Sequence, residues 1–196
     1  ENLQRTDLNP LARLISEVKT TSLPIGVLDE TINSFRGNSF CAGFSSSCGA
    51  EAQVPDFKNI DFWFSERVKK RLAYISEFIG DISDCNIQSF FKVCFSETIR
   101  ESSWTRNGEF KLFRMTEKQR EHFDPDVLGI MEGKLLRARN GLFEFMRDKK
   151  GAPESQVCAF NTVHGIPENV LRPETVDIVL TSPPYGDSRT TVAYGQ

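Results

Sequence analysis

The sequence feature that most constrains the fold is a short apolar run that ends at two consecutive prolines. Residues 176–180 read Val-Asp-Ile-Val-Leu, and the chain continues with Thr181, Ser182, Pro183, Pro184 and Tyr185. An apolar run of this length, bounded by turn residues, is typical of a buried strand, and the prolines end it because they lack a backbone donor. A second apolar run at residues 157–160 predicts another strand. Two such runs favour an α/β sheet, in which ligands bind beyond the carboxyl ends of the strands.

A helix is predicted near the amino end. The apolar residues that recur at the spacing of one helical face are Leu11, Leu14, Ile15 and Val18. Asn9 can accept hydrogen bonds from free amides of the first turn, and Pro10 suits the first helical position. Asp7 is therefore expected just before the N-terminus of this helix.

The middle of the chain is predicted to be mainly helical. Amphipathic spacing predicts helices over residues 61–79, 86–100 and 125–148, the last of them opening with Asp124 as the cap and Pro125 at the first helical position. From residue 24 to residue 55 the pattern is weak, and residues 36–51, rich in Gly and Ser, are interpreted as a mobile surface loop. Much of the phenylalanine, 16 residues in all, lies in this middle region and predicts core packing.

The order of these elements indicates a domain that is interrupted by an insertion. Residues 1–24 and 152–196 are interpreted as parts of one α/β domain, and residues 25–151 as a mainly helical insertion. No internal repeat is visible in the sequence.

Composition restricts the class of protein. With 39% hydrophobic and 26% charged residues the chain is typical of a soluble globular protein, and no run approaches the roughly 18 apolar residues of a membrane span. We therefore expect a cytoplasmic protein.

The five cysteines include no CxxC pair, which favours free thiols over a disulfide framework or a metal site, so no metal is expected. A net charge of −3 gives no global attraction to nucleic acid, so contacts with DNA would require local basic patches or segments outside this chain.

The segment Asp-Ile-Val-Leu-Thr-Ser-Pro-Pro-Tyr-Gly at 177–186 resembles motif IV of the amino-directed DNA methyltransferases. The resemblance implies that Ser182, Pro183, Pro184 and Tyr185 are catalytic. An exocyclic amino group is a poor nucleophile, so Ser182 and a backbone carbonyl would accept its hydrogens during methyl transfer. The prolines would hold that carbonyl in position, and Tyr185 would stack on the flipped target base.

Residues 6–12, Thr-Asp-Leu-Asn-Pro-Leu-Ala, resemble the D-x-N-P-x-A segment that follows the second strand in the same family. The resemblance implies that S-adenosyl-L-methionine is the cofactor and that Asp7 contacts its ribose or adenine side, with Asn9 and Thr181 as further cofactor-binding residues. The implied fold is a partial class I S-adenosylmethionine-dependent methyltransferase, a Rossmann-like α/β sheet with a large α-helical insertion. The loop after residue 160 contains His164, which is interpreted as a loop histidine without a catalytic role.

The Ser-Pro-Pro-Tyr spelling favours the N4 atom of cytosine as the target of a prokaryotic restriction-modification enzyme, and N6 of adenine is the alternative. Related motifs in enzymes that methylate RNA or protein glutamine rank lower. Double-stranded DNA is the expected partner, and the helical insertion is a possible DNA-contacting region. The basic residues that could contact phosphates are Arg100, Arg106, Lys111, Arg114 and Arg189. Charged helix faces are usually only solvated, and that interpretation stays open for these residues.

The family's F-x-G-x-G loop, which approaches the methionine part of the cofactor, has no counterpart in this sequence. The resemblance therefore implies a catalytic domain that is incomplete at both ends, and a strand at 176–180 with an unpaired edge. We expect a second polypeptide or chain segment to supply the glycine-rich loop. A different class of function, a non-catalytic subunit or fragment that binds DNA or a partner, is the alternative to an enzyme.

Overall fold

The computed structural model describes residues 3–44, 53–106, 113–149, 155–172 and 174–181. The elements, in chain order, are β1 Leu3–Thr6, α1 Pro10–Thr20, α2 Ile25–Phe44, α3 Ile60–Trp63, α4 Glu66–Gly80, α5 Cys85–Ser102, α6 Glu117–Glu121, α7 Val127–Asp148 and β2 Ser155–Cys158. A short 3-10 turn, Thr162–His164, follows β2. Within the described residues no helix is long and apolar enough to cross a membrane.

The two strands join the front of the chain to its back. β1 and β2 pair in parallel, with Leu3 opposite Ser155 and Thr6 opposite Cys158. The α-helices that the structure describes all lie in the connection between the two strands, and parallel pairing requires a long crossover of this kind. A small parallel sheet with many helices is compatible with the expected class of methyltransferase fold.

Helix α1 forms as the sequence predicts. The Asn9 side chain accepts a hydrogen bond from the Leu11 amide at 2.9 Å, and Pro10 occupies the first helical position. Val18 is buried, and α1 lies against both α5 and β2. The helix therefore connects the small sheet to the helical core.

The hydrophobic core is formed by α2, α4, α5 and α7, with Val18 of α1 at its margin. Phe35 of α2 lies edge-on to Phe78 and Phe91, with ring centroids 5.2 and 6.3 Å apart. The largest fully buried side chains of the core include Phe35, Phe90, Phe91, Leu28, Ile75, Ile87, Met131 and Leu135. The prediction that phenylalanines pack the core is confirmed for Phe35, Phe90 and Phe91, while Phe57, Phe62 and Phe143 are exposed.

The prediction of a weakly structured segment after Pro24 is wrong for residues 25–44, which form α2. Leu28, Ile32 and Phe35 lie on one buried face at helical spacing. Glycine and asparagine lower helix propensity in this segment, but burial of that face outweighs them because tertiary packing overrides weak local preference. The predicted mobile loop at 36–51 is therefore wrong over 36–44, and residues 45–51 lie outside the described residues.

The start of each middle helix differs from the prediction in detail. The predicted helix at 61–79 is two helices, because Ser65 caps α4 by accepting from the Val68 amide. Helix α5 begins after Asp84, which accepts from the Asn86 and Ile87 amides. Asp124 does not cap α7; it forms an ion pair with Arg67 at 2.5 Å, and Asp126 caps the helix instead.

The apolar run at residues 176–180 does not form the predicted buried strand. Ile178, Val179 and Leu180 are 77%, 76% and 92% exposed. In the described part of the chain the sheet has two strands, and neither is hydrogen-bonded to this run. A strand that is apolar on both faces needs flanking strands and covering helices, and no described element provides them here.

Candidate functional site

The carboxyl ends of β1 and β2 lie side by side and bring Asp7 next to the residues that follow β2. The Asp7 amide donates to the Cys158 carbonyl at 3.3 Å, and the Thr6 hydroxyl donates to the Phe160 carbonyl at 2.9 Å. This edge of a parallel sheet is where ligands bind in open α/β folds. The loops after the two strands therefore form the candidate site.

The loop at residues 7–9 is held by its own hydrogen bonds. Asp7 Oδ1 accepts from the Asn9 amide at 2.7 Å, and Arg13 Nη1 donates to the Asp7 and Leu8 carbonyls at 2.9 and 3.0 Å. Because Asp7 is exposed and Arg13 fixes the backbone beneath it, its carboxylate faces solvent in a defined position. A carboxylate so placed can accept hydrogen bonds from the hydroxyls of a ligand.

The loop after β2 repeats the same local design, which the sequence interpretation missed. Asn161 Oδ1 accepts from the Val163 amide at 3.0 Å and opens the 3-10 turn. Gln4 of β1 donates from Nε2 to the Val170 carbonyl at 2.9 Å and fastens the segment that follows the turn. The signal was present as an asparagine at the end of an apolar run, since asparagine side chains commonly accept from a backbone amide two residues on. His164 is exposed on this turn.

The structure brings two of the three predicted cofactor-binding residues together. Asp7 and Asn9 share the loop after β1, and the side-chain oxygen of Asn9 is engaged in the cap of α1. Thr181 is exposed, and among the described residues no hydrogen bond joins it to this loop. The predicted catalytic residues Ser182, Pro183, Pro184 and Tyr185, and the predicted DNA contacts Lys111 and Arg189, lie outside the described residues.

Three of the predicted DNA-contacting residues are described. Arg100 is exposed near the end of α5. Arg106 and Arg114 lie on two paired segments, where the Arg106 amide donates to the Phe113 carbonyl at 2.8 Å and Thr105 bridges Arg114 in an antiparallel pair. Sequence reasoning missed Arg120, whose guanidinium lies with that of Arg114 at the Trp104 ring.

The basic residues of α7 have mostly structural partners. Lys134 pairs with Glu101 at 2.5 Å, Arg137 with Glu97 at 2.6 Å, and Arg139 with Asp29 at 2.7 Å. The hydrogen bond from Arg139 lowers the pKa of the Asp29 carboxyl. These ion pairs join α7 to α5 and α2. Most of the basic side chains of α7 therefore already have a carboxylate partner within the protein.

The described cysteines show no nucleophilic or metal-binding arrangement. Burial raises the pKa of the Cys94 thiol to about 12, so this thiol stays protonated and packs as an apolar side chain. Cys85 is exposed and Cys158 is half-buried. Over the described ranges no three His, Cys, Asp or Glu residues lie close enough together to hold a metal ion.

Comparison with known proteins relates the chain to one class of enzyme. It is 36% identical to the Type II methyltransferase M.MvaI of Kocuria varians over an alignment 197 positions long, which covers 97% of this chain. The chain is similar to a Type II methyltransferase. It spans 43% of the length of that relative. The similarity supports the expected relationship to DNA methyltransferases and leaves the target base open. No family model and no solved structure matches the chain.

Proposed function

We propose that this chain is part of a site-specific DNA methyltransferase of a restriction-modification system that methylates N4 of cytosine. The observation that carries the methyltransferase part of the proposal is the similarity of the chain to a Type II methyltransferase over 97% of its length. The choice of N4 of cytosine rests on the Ser-Pro-Pro-Tyr segment at residues 182–185. The geometry is consistent with it, because the Asp-x-Asn-Pro segment lies at the carboxyl end of a parallel strand. The proposed setting is the prokaryotic cytoplasm, where the enzyme would act on double-stranded DNA.

The strand-end loop fits S-adenosyl-L-methionine at its ribose. Asp7 presents an exposed carboxylate on a backbone held by Arg13, and a carboxylate in this place can accept from both hydroxyls of a ribose. The side-chain nitrogen of Asn9 can donate a hydrogen bond to the cofactor, since its side-chain oxygen accepts from the Leu11 amide in the helix cap. Thr181 is proposed as a further contact. When bound, the cofactor supplies the methyl group on its sulfonium.

The methyl-transfer residues are proposed from the Thr-Ser-Pro-Pro-Tyr segment. Ser182 and a backbone carbonyl would accept the hydrogens of the amino group, so that its lone pair becomes available to the incoming methyl. Pro183 and Pro184 would restrict that carbonyl to a productive direction. Tyr185 would stack against the extruded base.

Binding of duplex DNA is proposed for the basic residues Arg100, Arg106, Lys111, Arg114 and Arg189. Within this proposal residues 25–151 act as the DNA-contacting insertion, and residues 1–24 and 152–196 as part of the catalytic domain. A second polypeptide or chain segment would supply the glycine-rich cofactor loop. The alternatives are an N6-adenine methyltransferase and a non-catalytic subunit that binds DNA or a partner.

Cofactor binding and base choice test the proposal in two steps. S-adenosylmethionine is titrated by calorimetry into the full chain and into Asp7→Asn. The matched control is Asp56→Asn, which changes an exposed aspartate in the segment before α3. Labelled methyl transfer is then measured on duplexes that contain cytosine and adenine in many contexts. Binding that is weakened by Asp7→Asn but not by Asp56→Asn, with label in N4-methylcytosine, is the expected result.

Each other outcome points to a different function. Label in N6-methyladenine would replace the cytosine target with adenine. Cofactor binding that is unchanged in Asp7→Asn would remove Asp7 from the site. If a folded chain that binds DNA shows no cofactor binding, even with the rest of the enzyme added, the non-catalytic alternative would be correct.

A further inference from the structure

Two arginines lie against one tryptophan near the end of α5. The guanidinium carbon of Arg114 is 5.2 Å from the centre of the Trp104 ring and 3.9 Å from that of Phe62. The guanidinium carbon of Arg120 is also 5.2 Å from the Trp104 ring. We call Trp104, Arg114 and Arg120 the arginine–tryptophan cluster.

Backbone hydrogen bonds position this cluster. The Trp104 amide donates to the Trp63 carbonyl at 2.9 Å, and the Met115 amide donates to the Trp104 carbonyl at 2.7 Å. Helix α6 opens with a capping box formed by Thr116 and Gln119, which sets Arg120 in its last turn. The arginines are therefore brought together by the fold.

The charges of the cluster are not balanced by the described residues. Burial and the nearby charge of Arg120 lower the pKa of the Arg114 guanidinium, so the two cations act on each other. The Nε atoms of both arginines are covered from solvent and have no hydrogen-bond partner within the described ranges. None of the ion pairs found among these residues involves Arg114 or Arg120. Stacking on aromatic rings offsets part of the repulsion between the two guanidinium groups. A bound anion would offset the rest.

The cluster differs in this respect from the basic face of α7. There Lys134, Arg137 and Arg139 each contact a carboxylate. A cation that already has a carboxylate partner is stabilised little by a further anion. The guanidinium groups of Arg114 and Arg120, which have no ion-pair partner among the described residues, present planar donors that match a phosphate group. Arg106, exposed on the same paired segments as Arg114, extends the positive surface.

We propose that the arginine–tryptophan cluster binds a backbone phosphodiester group of duplex DNA. The proposal rests on the proposed function for its choice of DNA and adds Arg120 and Trp104 to the residues that contact it. Since the chain has a net charge of −3, any attraction of this chain to DNA must come from local positive sites of this kind. A phosphate contact positions DNA and does not read its sequence.

Salt-dependent DNA binding tests the cluster without any need for catalysis. Binding of a fluorescently labelled duplex is measured by anisotropy for the full chain, from about 50 to about 300 mM salt. Arg120→Gln and Arg114→Gln are compared with Arg137→Gln, an exposed arginine paired with Glu97. Each cluster variant is expected to weaken binding about five- to tenfold near 100 mM salt and to reduce the slope of log K against log salt by about one. Arg137→Gln is expected to change neither quantity.

Further variants distinguish the loss of a phosphate contact from the loss of the fold. Arg120→Lys keeps a positive charge and is expected to retain most of the salt slope, and circular dichroism checks that each variant is folded. Glu109→Gln tests the acidic residue that lies between the paired segments in sequence, and binding that stays equal or becomes tighter supports the proposal. Loss of binding in Glu109→Gln would contradict it.

The proposal is wrong if the cluster variants match Arg137→Gln in affinity and slope, or if the full chain binds no duplex DNA. Preference for an RNA duplex of the same sequence would overturn the assignment to DNA. The calorimetric titration of S-adenosylmethionine reports on the loop at residues 7–9 and not on the cluster. Failure there with an intact effect of Arg120→Gln would overturn the methyltransferase proposal and leave the phosphate site standing.

Discussion

Asn9 closes the first turn of α1 and, at the same time, fixes the direction in which Asp7 leaves β1. Its side-chain oxygen accepts from the Leu11 amide and its own amide donates to Asp7 Oδ1. Asn9→Ala is expected to lower the free energy of unfolding by about 1 kcal/mol, because a helix amide loses its acceptor. Urea unfolding measures this change. Asn9→Ser should restore most of the stability, while Asn33→Ala, on the exposed side of α2, should alter it by less than about 0.5 kcal/mol.

Cys94 and Cys85 have opposite surroundings and should react differently. Cys94 is buried between α5 and its neighbours with its pKa raised to about 12, whereas Cys85 is exposed. Treatment of the folded chain with iodoacetamide near pH 8 should label Cys85 and spare Cys94, as read by mass spectrometry of the peptides. Equal labelling of the two cysteines in the folded chain would contradict the burial of Cys94.

The same burial gives a pH dependence of stability. The folded chain holds the Cys94 thiol protonated, and the unfolded chain ionises it at its ordinary, lower pKa. The contribution of the protonated, buried Cys94 thiol to the free energy of unfolding is therefore fully present below the pKa of the unfolded chain. This contribution is lost as pH rises from there towards about 12. Cys94→Ala should flatten this part of the stability curve at the cost of some packing.

At the scale of elements, α2 is the clearest test of the packing. Leu28 is fully buried and its neighbour Val27 is 46% exposed. Leu28→Ala is expected to cost about 2–5 kcal/mol of unfolding free energy, and Val27→Ala less than about 0.5 kcal/mol, in urea titrations. Two equally small effects would mean that this segment does not pack as a helix against α7.

How much could be predicted from the sequence differs between elements for physical reasons. α1 was predictable because the cap, the proline and the apolar face are all local signals, and Asp7 followed from them. α2 was not, since its glycines and asparagines obscure the face formed by Leu28, Ile32 and Phe35. The start of α7 was misjudged because Asp124 finds a distant partner in Arg67, which no local pattern reveals.

The candidate sites also differ in how far the sequence predicts them. The loop at residues 7–9 could be predicted from the sequence, because one short segment contains all its hydrogen-bonding groups. The arginine–tryptophan cluster could not, since Trp104 and Arg120 are brought together by the contacts of α3, α5 and α6. The apolar residues at 176–180 favour a strand, but whether this segment forms one depends on neighbouring strands to pair with it.

At the scale of the whole molecule, the helical core and the small sheet make unequal contributions to stability. Every side chain of the buried hydrophobic cluster in the described residues falls between Val18 and Leu142. The strands Leu3–Thr6 and Ser155–Cys158 add a ladder of few hydrogen bonds, each contributing about 1 kcal/mol. The helices should therefore fold without β2, whereas the loop that holds Asp7 depends on it through the bonds to Cys158 and Phe160.

A chain ending at residue 149 tests this division. It should keep its helical circular dichroism and unfold in one cooperative urea transition, with a free energy lowered by no more than about 3 kcal/mol, because no core side chain is removed. Any S-adenosylmethionine binding shown by the full chain should be lost, while the effect of Arg120→Gln on the salt slope of DNA binding should remain. Loss of the cooperative transition would mean that the strands and the helices stabilise one another as a single unit. Survival of both binding activities would instead move the cofactor site away from the strand ends, because the truncated chain has no partner for β1.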